Sequence, residues 1–205
     1  MKKELKHHLF LLRCSLLTIL ILLLCACSGE DSWKNLNKKA SAFFMEGKYP
    51  QAIETAEKAL KVAEKVFGKD SPNYATSLNN LASIHQALRA YTEAEGLYIK
   101  SFEILEKKLG ERHPQVAISL NNLASLRQAQ GRHLEAEQLY RKSLKIIENA
   151  YGQYHTSLLP ILENMATCSE KTEKPDKAKE YRERISRIIR EYAKKDPKTS
   201  DNKAN

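Results

Sequence analysis

Between residues 33 and 192 the apolar side chains recur every three or four positions, the spacing of a helix with one buried face. In one stretch they fall at Ala75, Leu78, Leu81, Ala82 and His85, and after a break at Arg89-Ala90-Tyr91 they resume at Ala94, Leu97, Tyr98, Ser101, Phe102, Leu105 and Leu109. Pro72 before the first run suits a helix start, where its missing N–H has no partner to lose. Gly110 after the second run suits a helix end, and Pro114 opens the next run. The pattern predicts two helices joined by a tight turn. Ala82 and Ala94 face each other across it, small enough for close approach.

The same pattern returns every 42 residues. Gly68, Gly110 and Gly152 keep this period, as do Ala52, Ala94, Ala136 and Ala178. Leu78-Asn79-Asn80-Leu81-Ala82 reappears as Leu120-Asn121-Asn122-Leu123-Ala124 and fades to Leu162-Glu163-Asn164-Met165-Ala166. Residues 73–114 and 115–156 share 21 of 42 positions. Such periodicity is the signature of a tandem array in which each unit buries its apolar face on its neighbours.

The motifs Leu-Asn-Asn-Leu-Ala, Tyr-x-Glu-Ala-Glu-x-Leu-Tyr and Leu-Gly-x-x-His-Pro resemble tetratricopeptide repeats of the 42-residue type found in kinesin light chains. The resemblance implies an all-α, right-handed solenoid of about four helix-turn-helix repeats, near 33–72, 73–114, 115–156 and 157–192. The first unit lacks the Asn pair. In the fourth, Pro160 falls inside the expected first helix and shortens its start by about a turn. There Arg182 and Ser186 replace Tyr98 and Phe102, which gives the last repeat a polar outer face suited to a cap. Its final helix keeps an inward stripe of Ala178, Tyr181, Ile185, Ile188, Ile189 and Tyr192, with Arg182, Arg184, Arg187 and Arg190 largely outside it. That basic face can be a solvated surface or a lipid-binding one; nucleic acid is not an expected partner of an exported chain. Residues 193–205 are polar and read as a disordered tail.

The N-terminus changes the picture. A basic start through Arg13 precedes an uncharged run from Leu16 to Ala26, too short to cross a hydrocarbon core of about 20 residues. This is the layout of a secretory signal, with an uncleaved anchor as the alternative. Its ending, Leu24-Cys25-Ala26-Cys27, resembles a bacterial lipobox, which implies a signal peptide over 1–26, acylation of Cys27 and a lipidated tether over 27–32. Ser28 in place of Asp implies the outer membrane, facing the periplasm. Cleavage would take Lys+Arg from 34 to 30 and Asp+Glu from 25 to 24, so the net charge falls from +9 to +6. Beyond Cys27, Cys168 is then the sole cysteine and aligns with apolar positions, so it reads as a buried, inert thiol.

Composition excludes several classes. Hydrophobic residues make up 42% and charged residues 29%, with only 7 Gly and 6 Pro, which is neither a disordered nor a collagenous chain. A single long apolar run excludes a multi-pass membrane protein. There is no phosphate loop, no Gly-x-Ser-x-Gly and no Cys or His pair at metal spacing, so no enzyme, cofactor, metal or small-molecule substrate is expected. His113 and His155 recur in the turn before a new helix, where a turn role fits; His85 and Arg127 read as partly exposed packing residues. The Glu and Lys residues of the second helices read as surface patterns.

The candidate site follows from the period. The first helix of each repeat lines the concave side of such an array, and equivalent positions there carry Asn37, Asn79, Asn121 and Glu163; Lys38, Asn80, Asn122 and Asn164; Ser41, Ser83, Ser125 and Thr167; Phe44, Gln86, Gln128 and Glu170. An Asn side chain can donate to a peptide carbonyl and accept from a peptide N–H at once. In the family resembled, such residues hold extended peptides by their backbone, which implies a partner site of Asn79, Asn80, Ser83, Gln86, Asn121, Asn122, Ser125, Gln128 and Asn164. The alternative is that the Asn pair maintains repeat packing. The chain thus reads as a membrane-anchored interaction scaffold or assembly factor of the cell envelope, or as a structural or regulatory accessory of envelope enzymes without a peptide groove.

Overall fold

A computed structural model describes residues 29–195; the stretch read as a signal peptide over 1–26, Cys27 and the residues from 196 onward lie outside the described residues. These residues form two units divided between Lys69 and Asp70. The first unit holds α1 over 29–45 and α2, Tyr49–Phe67. Residues 29–32, read as part of the tether, are helical. Trp33 packs edge-on against Phe67 with ring centroids 5.5 Å apart, closing this hairpin at its open end.

The second unit holds α3, Pro72–Ala87; α4, Tyr91–Leu109; α5, Pro114–Ala129; α6, His133–Tyr151; a 3-10 turn, Thr156–Leu158; α7, Leu159–Lys171; and α8, Pro175–Lys195. Successive helices pack as antiparallel neighbours, and α3, α5 and α7 also meet one another side by side. Ala82, Ala94, Ala124 and Ala136 have no exposed surface, and each Ala pair lies where its two helices approach closely. Ser101 Oγ donates to the carbonyl of Ala75 and Ser143 Oγ to that of Ala117, both at 2.7 Å, so each of these hairpins is also tied by a buried hydrogen bond. Leu139 borders three core clusters, two shared by α3, α4 and α5 and one running from α5 to α8.

Two kinds of turn repeat. After each first helix one residue takes positive φ, namely Gly47, Arg89, Gly131 and Glu173, and the next N–H reaches back across the last turn, as Ala90 does to His85 and Arg132 to Arg127. After α2, α4 and α6 a glycine takes a conformation that only glycine adopts freely; Gly110 has φ 83 and ψ 154. Ser71 then caps α3, and His113 and His155 occupy the equivalent places, each with Nδ1 accepting a backbone N–H at 3.1 and 3.2 Å. This is the turn role read from their spacing.

Pro160 acts as its position requires. It lies in the first turn of α7, which has 13 residues against 16 in α3 and α5, and the missing turn becomes the 3-10 segment. Because α8 keeps 21 residues, it outruns α7. Ile189 and Tyr192, expected inside the stripe, are 53% and 58% exposed, while Ala178 and Ile188 are buried. The helix also continues through Lys195, three residues into the stretch read as tail.

Candidate functional site

The amide-bearing side chains fall on α3, α5 and α7 because each first helix repeats the same register. Asn80, Gln86, Asn121, Asn122, Ser125, Gln128 and Asn164 are half-buried and Ser83 is exposed. Several of them are bonded across the repeat boundary. Gln86 Nε2 donates to Ser125 Oγ at 3.0 Å, and Asn164 Nδ2 donates to Asn121 Oδ1 at 3.2 Å. Within the third repeat, Tyr140, whose burial pushes its phenol up, donates to Gln128 Oε1 at 3.0 Å. Gln86, Ser125, Gln128 and Asn164 line one hollow of about 430 Å3 with His133 and Lys171 at its edge. Asn79 does not join them: it is buried, and its Oδ1 has no hydrogen-bond partner among the described residues. Cys27 lies outside the described residues.

Ionic contacts between repeats are the feature that sequence reasoning missed. Arg127, read as partly exposed, is buried: its Nη2 meets Glu95 Oε1 at 2.6 Å and its Nη1 donates to Gln130 Oε1 at 3.1 Å. The guanidinium, with a further bond from Gln130, holds the Glu95 carboxyl at about 2. One period on, Glu137 takes Lys174 at 3.0 Å, Arg141 at 2.6 Å and Lys177 at 3.5 Å, and these cations, Lys174 foremost, hold it at about 2 as well. Both acids are the final Glu of Tyr-x-Glu-Ala-Glu or its relative, 42 residues apart; that recurrence was the available signal. They are not surface i, i+4 partners alone but join α4 to α5 and α6 to the α7–α8 hairpin.

Cys168 is 2% exposed, its thiol pushed up by burial, and its Sγ faces the His133 carbonyl at 3.6 Å. Among the described residues no three His, Cys, Asp or Glu side chains converge to hold a metal ion, and no helix is long and apolar enough to cross a membrane. What the arrangement presents is paired amides and hydroxyls on parallel helices.

An all-α array of paired helices with this repeat register is the architecture of a protein-interaction scaffold. The tetratricopeptide repeat profile matches residues 33–107, 75–149 and 115–191, and the chain belongs to that family. Solved structures agree. BtubC (BKLC) from P. vanneervenii is 26% identical over 80% of this chain, with a TM-score of 0.68, and the chain spans 66% of that protein. A putative kinesin light chain of Podosopora anserina with nearly identical TPR-like repeats is 24% identical over 78% of this chain and 76% of its own, at a TM-score of 0.60. Aspartyl phosphate phosphatase F from Bacillus subtilis shares the fold at 15% identity, over 79% of this chain and 41% of its own, with a TM-score of 0.67. None of the curated proteins compared matches the chain. The repeats are of the kinesin-light-chain-like type.

Proposed function

We propose that the protein is a lipid-anchored scaffold at the bacterial cell envelope, held by acylated Cys27 at the outer membrane and binding an extended peptide or protein segment along the first helices of its repeats. The observation that carries this reading is the row of amides and hydroxyls shared between adjacent first helices, Gln86 with Ser125 and Asn164 with Asn121, of which Gln86, Ser125 and Asn164 line one hollow. A peptide laid across these helices would find donors and acceptors at repeat spacing, each net hydrogen bond contributing about 0.5–1.5 kcal/mol. The buried Asn79 and the Asn121–Asn164 bond favour a second reading, in which the Asn pairs mainly lock repeats together and the chain is a structural or regulatory accessory of envelope enzymes.

One experiment separates the two. Peptides selected from a display library on the full chain should bind the Asn80→Ala, Asn122→Ala double variant roughly five- to a hundredfold more weakly, at 1.4 kcal/mol per decade. Helicity should persist, since Ala favours helix. Unchanged affinity with intact circular dichroism moves the site elsewhere; lost helicity supports the packing role. For the anchor, Cys27→Ala should abolish incorporation of a clickable fatty acid, and equal labelling of variant and wild type refutes it.

A further inference from the structure

The second unit carries a separate cleft that shares no lining residue with the hollow of the amide row. Residues of α4, α5 and α6 and the 110–113 turn enclose a groove of about 520 Å3, remote in sequence register from the amide row and within the size range of small-ligand sites. Its floor is apolar: Val116 and Leu120 are buried beneath it, and Phe102 and Ile146 form half-buried walls. Its rim is charged, with Glu106, Lys142 and Lys145 around the opening and Glu111 beside Arg112 at 3.8 Å.

The next repeat carries an ion pair at the equivalent place. Forty-two residues on, Glu106 and Lys142 become Glu148 and Arg184, over the equivalent floor of Leu144, Leu158, Leu162 and Ile188. Arg184 spans the gap there, bonding Glu148 and also donating to the Gln153 carbonyl at 3.5 Å. In the third repeat the shorter, single-headed Lys142 makes no ion pair with Glu106, and among the described residues neither Lys142 nor Lys145 has an ion-pair partner. Glu111 and Arg112 balance each other, so Glu106, Lys142 and Lys145 leave one positive charge unanswered above an apolar floor. We propose that this groove is a binding site for a small amphiphilic carboxylate, an aryl or short acyl acid whose body lies on Phe102, Val116, Leu120 and Ile146 and whose carboxylate meets Lys142 and Lys145.

The fourth repeat supplies the controlling variant. Lys142→Arg keeps the charge but lets a guanidinium bridge Glu106 and close the groove; Glu106→Gln added to it removes the bridge and reopens the groove. The probe is 4-phenylbutyrate, titrated into the full chain by calorimetry with saturation-transfer NMR, against uncharged 4-phenylbutyramide. Wild type should bind one equivalent of the acid and should prefer it to the amide by about tenfold or more, as a charge-assisted contact requires. Lys142→Arg should lose about tenfold at unchanged net charge, and the double variant should recover most of it. Absence of binding to wild type, equal affinity for acid and amide, or wild-type affinity in Lys142→Arg overturns the proposal. Failure of the double variant to recover binding, at an unchanged melting temperature, overturns it too.

Discussion

Acid should undo the junctions between repeats before it undoes the hairpins, and the two depressed carboxyls set the window. Glu95 and Glu137 ionise at about 2 in the folded chain, against 4.5 for an ordinary Glu. Between those values the unfolded chain binds a proton that the folded chain does not, so stability rises with pH there. Above about pH 5 the full contribution is present, and it is lost as pH falls from 4.5 toward 2. At about 1.4 kcal/mol per unit the ceiling is about 3 kcal/mol for each carboxyl. Their side chains keep 28% and 17% of their surface exposed, and solvent screening lowers the working figure to about 1–2 kcal/mol each. Glu95→Gln and Glu137→Gln isolate these groups from the other carboxylates. Urea unfolding followed by circular dichroism should show each variant destabilised by about 1–2 kcal/mol at pH 7 and nearly level with wild type at pH 2.5. Molar salt should blunt the Glu137 effect more, because its partners Lys174 and Lys177 are more exposed than Arg127. A cost that is the same at both pH values, or no cost at pH 7, refutes the reasoning.

Backbone strain gives a second expectation. Arg89 holds φ 60 where Gly47 and Gly131 stand in other repeats, so Arg89→Gly should raise the melting temperature by the equivalent of about 0.5–1 kcal/mol, while Gly110→Ala at φ 83 should cost about 1–3 kcal/mol. Thermal melts of the two variants check both signs, and a destabilised Arg89→Gly contradicts the strain reading. Ending the chain before Lys174 removes α8 and two of the three cations of Glu137, Lys174 and Lys177, and bares Ile161, Met165 and Cys168, so aggregation or a clearly lower melting temperature is expected. Removing only 196–205 should leave the melt unchanged, and a large shift would assign those residues a structural part.

Fold and repeat register were legible because they rest on periodicity. The 42-residue spacing of Gly68, Gly110 and Gly152 marks the same turn each time, and Pro160 announces a short α7. The exposure of Ile189 and Tyr192 was not legible from a helical wheel, which gives direction but not whether a neighbour covers it: Ile147, one period before Ile189, is buried in a cluster with Leu158, Ile161 and Leu162 of the following repeat, and no described helix follows α8. The burial of Arg127 was hidden for another reason. A guanidinium enters a core only when a carboxylate from another helix meets it, and Glu95 lies 32 positions earlier in the chain. The candidate site was half legible: the period placed Gln86, Ser125, Gln128 and Asn164 on one face, whereas the withdrawal of Asn79 depends on side-chain packing. The groove at Lys142 escaped notice because its residues are unremarkable singly, and only the comparison with Arg184 distinguishes them.

The unlike junctions bear on how a chain of near-copies finds one stacking order. With 21 of 42 positions identical between its two best-formed repeats, the apolar surfaces alone would tolerate a slipped or swapped arrangement. The charged contacts do not. The position held by Arg127 in the third repeat is Ser169 in the fourth, so a fourth repeat docked one place early would leave Glu95 without its guanidinium. The position held by Lys177 is Glu93 in the second repeat, so a second repeat stacked after the third would set Glu93 beside Glu137, carboxylate against carboxylate. Each boundary therefore carries its own key, and misordered stacks are penalised by missing or repelling charge while the hydrophobic code stays the same throughout.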